Sequence, residues 1–320
     1  MAFLCGGDVM IQAFVLHTDQ LRSANGNCKQ ANVFIMSSPK KVELQRLCQQ
    51  FDLDPVIFNE CNSAEEVSRF HEVTSTVLKQ LQLLVVFDFN VHYSEITDQL
   101  TPTILLFNAD YLFLCTKNAA NALDELTVAV KEHPQIPALV AHLINFWQGH
   151  LIQALDSYEE QINYLNKAAQ KAIKDHELRQ LTSLMRRLVF LEHTINDQSE
   201  TITAFEKSAI AQTVNSQMLL DIKTNQRRLA KAIHIYRDVL ESLNGLYMGI
   251  MDNNLNHLMK FLDSAGLILA TASLLSGFMG MNVGGMPWKS SAYGFWIILG
   301  IALLVAVVIS IYLRRKSYTD

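Results

Sequence analysis

The chain has 320 residues, half of them hydrophobic and only 18% charged, against about 25% charged in a typical soluble protein, so part of it is built for a solvent other than water. A net charge of −5 with no long basic run argues against nucleic acid as a partner. Five cysteines at scattered spacings with no C-x-x-C fit reduced thiols better than a disulfide framework or a zinc knuckle.

The first stretch, MAFLCGGDVMIQAFV, has no basic region and meets Asp8 early, so it does not read as a cleaved signal peptide. Up to about residue 135, short β-type runs begin at Ile11 (IQAFVLH), Asn32 (NVFIMS), Leu83 (LLVVFDF) and Thr103 (TILLFNADYLFLCT). The last reads as a hairpin, two apolar arms around Asn108, Ala109 and Asp110. Between them, KKVELQRLCQQF from Lys40 and SAEEVSRFHEVTSTVLKQL from Ser63 read as helices, the second with Ser63 and Glu66 at capping-box spacing. This alternation predicts a compact α/β domain.

From Pro137 to Pro287 there is no intervening proline, which predicts long helices. Two amphipathic ones, QGHLIQALDSYEEQINYLNKAAQKAI and HELRQLTSLMRRLVFLEHTINDQSETITAF, are expected to break near Lys174 to His176. A third is expected to start near Gln212 and run unbroken into a membrane. Its apolar positions Leu229, Ile233, Tyr236, Leu240, Leu243, Tyr247, Ile250, Leu255, Leu258 and Leu262 recur mostly at three- and four-residue steps, as the core seam of a helical bundle does. The neighbouring face runs through Gly245, Gly249, Asp252, Asn256, Met259, Asp263, Gly266, Ala270, Ser273, Gly277 and Gly280, all small or polar except Met259. In lipid, small residues allow close helix approach, and polar ones face a bundle interior or a watery path. Close packing alone is one reading. The other is that copies of this helix surround an axis lined by the stripe, and the polar run Asp252, Asn253, Asn254 and Asn256 favours it. Two spans per chain cannot enclose a pore, so that reading implies a homo-oligomer.

The spans themselves are Phe261 to Gly280 (FLDSAGLILATASLLSGFMG) and Gly294 to Leu313 (GFWIILGIALLVAVVISIYL), the second without a charge. A helix of that length rises about 30 Å, the thickness of a bilayer's hydrocarbon core. Lys260 precedes the first span and Arg314, Arg315 and Lys316 follow the second, while the loop between holds only Lys289. By the retention of basic residues on the cytoplasmic side, both termini are cytosolic and the protein is a multi-pass protein of the cytoplasmic membrane. The expected division is a cytosolic α/β domain over 1–135, a helical stalk over 136–258, a first span over 259–280, an external loop over 281–293, a second span over 294–313 and a basic tail over 314–320.

The first span ends in Gly280-Met281-Asn282, followed by one more span and a short basic tail. This GMN arrangement resembles the CorA family of divalent-cation channels and transporters. Asn256, Met259 and Lys260, with Asn256 lying 26 residues before Asn282, are similar to the family's inner pore entrance. The resemblance is specific in this carboxy-terminal third and agrees in order and length elsewhere. It implies an α+β membrane protein built as a homopentameric funnel, with the first spans as an inner ring. Gly280, Met281 and Asn282 would be the selectivity filter, and Asp252, Asn256, Met259, Leu262, Asp263, Gly266, Ala270, Ser273 and Gly277 would line the pore. Magnesium gives up its six waters reluctantly, so a ring of Asn282 amide oxygens and Gly280 carbonyls would select the hydrated ion. Below it, rings of Met259 and Leu262 would gate conduction by dewetting.

The loop after the motif, Val283-Gly284-Gly285-Met286-Pro287, is similar to the ZntB branch of that family, associated with zinc, and carries no acid. Zinc, with or without proton coupling, therefore stands as the alternative cargo to magnesium. Asp263 would put several carboxylates near one axis, where they would bind a cation or exchange protons. The resemblance also implies regulatory cations between cytosolic domains, for which Asp88 and Asp221 are candidates. The partners implied are further copies of the chain, membrane lipid and divalent cations. No cofactor is expected. The ten histidines form no H-E-x-x-H and no G-x-x-x-x-G-K-[ST] is present, which argues against an enzyme and against ATP-driven pumping. A membrane-anchored coiled-coil scaffold is the remaining rival.

Overall fold

The structure is a computed structural model that describes residues 11–17, 20–24, 30–58, 65–93, 95–170, 174–281 and 293–315. Seven strands form one sheet: β1 (Ile11–Leu16), β2 (Leu21–Ser23), β3 (Val33–Met36), β4 (Arg69–Val73), β5 (Leu81–Phe89), β6 (Leu100–Phe107) and β7 (Leu112–Cys115). Their order is β2-β1-β3-β7-β6-β5-β4, with β3 and β7 parallel and the other neighbours antiparallel. The central strands read as continuous apolar runs because both faces are covered. Alternate residues feed two cores. Val33, Ile35, Leu84, Val86, Leu105 and Leu114 face one, and Phe34, Met36, Leu83, Val85, Ile104 and Phe113 face the other.

The second core is closed by α1 (Lys41–Phe51), whose Phe51 meets Phe34 and Phe113 edge-on while those two rings stack at 5.0 Å. The first is closed by α3 (Ala119–Ala129) and the start of α4 (Ile136–Ala169). Between them, α2 (Ile96–Gln99) is a single turn. The hairpin expected at Asn108 forms between β6 and β7, and the Asn108 side-chain oxygen accepts from the backbone N–H of Asp110 and Tyr111 at 2.9 and 2.8 Å, an Asx turn.

One expected helix is absent. Ser63 lies outside the described residues, and the stretch beyond it forms β4, which pairs antiparallel with β5 from Arg69 opposite Val85 to Val73 opposite Leu81. Val67, Val73, Thr74, Thr76 and Val77 are β-branched and stiff at χ1, which suits a strand better than a helix. Asp52 and Ser75 then fasten the segment that follows, since Thr76 Oγ1 donates to Asp52 at 2.6 Å and Ser75 Oγ donates to the Phe51 carbonyl at 2.7 Å.

Three long helices come next: α4, α5 (Asp175–Glu206) and α6 (Ser216–Gly280). Helix α4 starts earlier than its amphipathic stretch, with Pro137 in its first turn, where a missing N–H costs nothing. Helix α6 is 65 residues long. Its expected core seam is buried at Leu229, Ile233, Leu240, Leu243 and Tyr247, but Leu255, Leu258 and Leu262 are more than half exposed, so the bundle seam ends near Tyr247. The last helix is α7 (Gly294–Arg315). The chain divides into two compact units, Met1–Gln170 with Asp175–Ser242, and Lys171–Lys174 with Leu243–Asp320. The apolar parts of α6 and α7 are long enough to cross a membrane and are not buried within the chain.

Candidate functional site

The last stretch of α6 carries the stripe. Asp252, Asn256, Met259, Leu262, Asp263, Gly266, Ala270, Ser273, Gly277 and Gly280 are all exposed in the single chain. The half-covered residues, among them Lys260, Ser264, Ile268, Thr271, Leu275 and Met279, fall on the opposite side of the helix at about 100° per residue. Helix α7 likewise has one half-covered line, Ile298, Ala302, Val305 and Ile309. The stripe therefore looks away from what the chain itself covers.

The glycines sharpen this. Among the described residues, a Cβ added at Gly245, Gly249, Gly266, Gly277 or Gly280 meets no atom within 4 Å, so none of those residues requires their small size. Polar groups within the apolar stretch are partly satisfied by the helix, since Thr271 and Ser276 hydroxyls donate to the carbonyls of Leu267 and Ser273 at 2.8 and 3.0 Å. That back-bonding makes hydroxyls tolerable in lipid. Helix α6 ends at Gly280, Met281 follows it about half exposed, and Asn282 lies outside the described residues.

The two acids proposed for regulation sit in unlike places. Asp221, on α6, is exposed and accepts a hydrogen bond from Gln217 Nε2 at 2.9 Å. Asp88, on β5, is 3% exposed and already partnered. Its Oδ1 meets His150 Nδ1 at 2.5 Å and accepts from the Phe89 N–H at 2.8 Å, while Oδ2 accepts from Asn118 Nδ2 at 3.2 Å. The hydrogen bond to Asp88 holds the His150 pKa above its ordinary 6.5 against the opposing effect of burial. His150 and Asn118 were not legible as partners of Asp88; the only hint was a lone acid in the apolar run LLVVFDF. A second pair, His142 Nε2 with Glu125 at 2.6 Å, lines the same cleft as His150. Among the described residues, no three or more His, Cys, Asp or Glu side chains gather as a metal-holding group.

Residues 29–315 match the family model described as CorA-like Mg2+ transporter protein. The cobalt/magnesium transport protein CorA of Thermotoga maritima is 20% identical over 286 residues, which covers 86% of this chain and 79% of that protein. The fold matches the complete structure of the CorA magnesium transporter from Methanocaldococcus jannaschii with a TM-score of 0.76 at 16% identity, over 98% of this chain and 100% of that one. The ZntB cytoplasmic domain from Vibrio parahaemolyticus matches with a TM-score of 0.62 at 13% identity, over 77% of this chain and 99% of that one. An apolar pair of helices, an α/β sheet domain and a family match over most of the length converge, and the chain belongs to the CorA-like Mg2+ transporter family, a family of membrane cation transporters and not of enzymes.

Proposed function

We propose that the chain forms a homopentameric channel for magnesium uptake across the cytoplasmic membrane, with both termini cytosolic, a hydrated ion selected at Gly280, Met281 and Asn282, and the stripe of α6 lining its path. The observation that carries this reading is the stripe's isolation. Ten positions on one face of a membrane helix, most of them small or polar, are left exposed by their own chain, and further copies around an axis would use them. No thiolate or imidazole lies on the stripe, which suits a hard ion that keeps its water. Asp221, exposed on α6, is the better placed regulatory acid, because the Asp88 carboxylate is already taken by His150, Asn118 and a backbone N–H. On this reading a cation bound at the cytosolic domains holds the pore closed.

Zinc is the second reading, favoured by the Gly284-Gly285-Met286-Pro287 loop and by the fold match to the ZntB domain. Purified protein in liposomes decides between them: uptake of magnesium and of zinc is followed with and without an inward proton gradient. Magnesium uptake independent of that gradient is the expected result. Zinc uptake accelerated by protons, with no magnesium flux, reverses the choice, and no flux of either metal points to a scaffold. If Asp221→Ala leaves inhibition by internal magnesium unchanged, that residue has no regulatory part.

A further inference from the structure

The first unit contains a buried polar knot that the ion path does not use. Strand β5 runs on past its neighbour, since β4 pairs with it only as far as Val85. Beyond that point the N–H of Phe87 is taken by Gln198 Oε1 of α5, at 2.9 Å. Gln198 Nε2 donates in turn to Gln226 Oε1 of α6 at 3.3 Å, and Gln148 Nε2 of α4 donates to the same oxygen at 3.0 Å and to the Ile222 carbonyl at 3.1 Å. Gln226 Nε2 donates to the Ile195 carbonyl and to Ser199 Oγ of α5, at 2.9 and 3.0 Å. Gln148, Gln198 and Gln226 are 0%, 1% and 4% exposed.

Every hydrogen-bonding position of the Gln226 amide, two donors and two lone pairs, is therefore used. Around it the seam of α6 is apolar at Ile222, Leu229, Ile233 and Leu240. Such a seam sets register weakly, because ridges repeating every three or four residues fit the next groove almost as well. A buried amide sets it strongly, as a single polar residue does in a coiled coil. Sliding α6 by one turn, about 5.4 Å, would strand several amides without partners in the interior.

We propose that Gln226, gripped by Gln148 and Gln198, is the register lock of the pore helix: a positioning residue that fixes α6 along its axis against the α/β domain and carries that domain's cation occupancy to the pore. This rests on the reading that a cytosolic cation controls the channel. The residues expected at the gate, Met259 and Leu262, lie further along the same helix, and Asp221, the exposed candidate for the regulatory cation, lies five residues before Gln226 on it.

The test reads register directly. Asn145 and Asn225 touch across α4 and α6 at 2.7 Å, so Asn145→Cys is paired with Asn225→Cys, with Asp221→Cys or with Arg228→Cys in the full-length protein, and oxidative links are mapped by mass spectrometry. In the otherwise unaltered chain only the 145–225 pair is expected to link. Gln226→Leu should add links one turn away, at 145–221 or 145–228, and should raise the internal magnesium needed for half-inhibition about tenfold, within the usual range of coupling between sites. Gln148→Leu, which spares the bonds between α5 and α6, is the milder variant should Gln226→Leu not assemble, and it should shift links and inhibition the same way by less. Links confined to 145–225 in the variants, or an unchanged inhibitory concentration, overturn the proposal. Vesicles of the unaltered chain that take up no cation bear on the transport reading alone, because the link map needs no flux.

Discussion

Asn282 is the residue on which selectivity turns under the channel reading. An amide oxygen in a ring offers neutral acceptors to the hydrogens of a hydration shell, while removal of the amide leaves an outer-loop side chain with little to contribute to helix packing. Asn282→Ala is expected to reach the membrane and assemble but to lose selective uptake. Asn282→Asp should bind divalent cations more tightly, release them more slowly and discriminate among them less, since conduction needs a site the ion can leave. Normal flux and selectivity in both Asn282→Ala and Asn282→Gly would reduce the residue to a helix-terminating turn. The motif was legible because three residue types at one end of a span are a local pattern. Gln226 was not, because an amide in a helix reads as surface until the fold buries it among two other helices.

His150 carries a different expectation. Its folded pKa is raised above 6.5 by the bond to Asp88, so the charged pair's contribution is fully present below pH 6.5 and is lost as pH rises through the folded value. The melting temperature of the detergent-solubilised protein should therefore fall as pH rises above 6.5, and His150→Asn should flatten that slope; for a chain of this class each kcal/mol corresponds to roughly 2–4 °C. An identical slope in the variant would assign the dependence to other groups. Cys48, whose thiol burial and the nearby Asp54 push up to about 11, stays protonated throughout this range and does not contribute.

At the scale of elements, periodicity was informative wherever one pattern extended over many residues. The hairpin at Asn108 and the continuous α6 were readable because turn chemistry and absence of proline act locally. The segment after Ser63 was misread because its acids and serine imitate a helix start, while its strand state depends on β5, a partner brought by tertiary pairing. The exposed glycines of α6 make a prediction at this scale. A Cβ at Gly266 meets no atom of the described residues within 4 Å, so Gly266→Leu should fold and enter the membrane, yet it should block flux or disturb assembly if copies meet along the stripe. Full uptake by a normally assembled Gly266→Leu protein would place the stripe against lipid.

At the scale of the whole molecule, a sheet domain followed by long helices and two apolar helices was legible from periodicity and hydropathy. The arrangement of the sheet was not, because strand order is set by which apolar faces meet and not by any run of residues. The parallel pairing of β3 with β7, separated in sequence by β4, β5 and β6, is of that kind.

Gln226 and the stripe belong to one helix, Ser216–Gly280, and a helix has a phase. Each residue inserted between them turns every later side chain by about 100°, whereas seven residues restore the direction to within about 20°. One alanine inserted after Ser242 should therefore aim Asp252, Asn256 and Asp263 away from their former direction and abolish uptake, although nothing in the stripe has been altered. Seven inserted residues should lengthen the helix by about 10 Å and preserve more of the flux than one does. Measured in the same vesicles, a loss that grows steadily with insertion length instead of recovering at seven would mean that distance along the helix, and not angle around it, is what the pore requires.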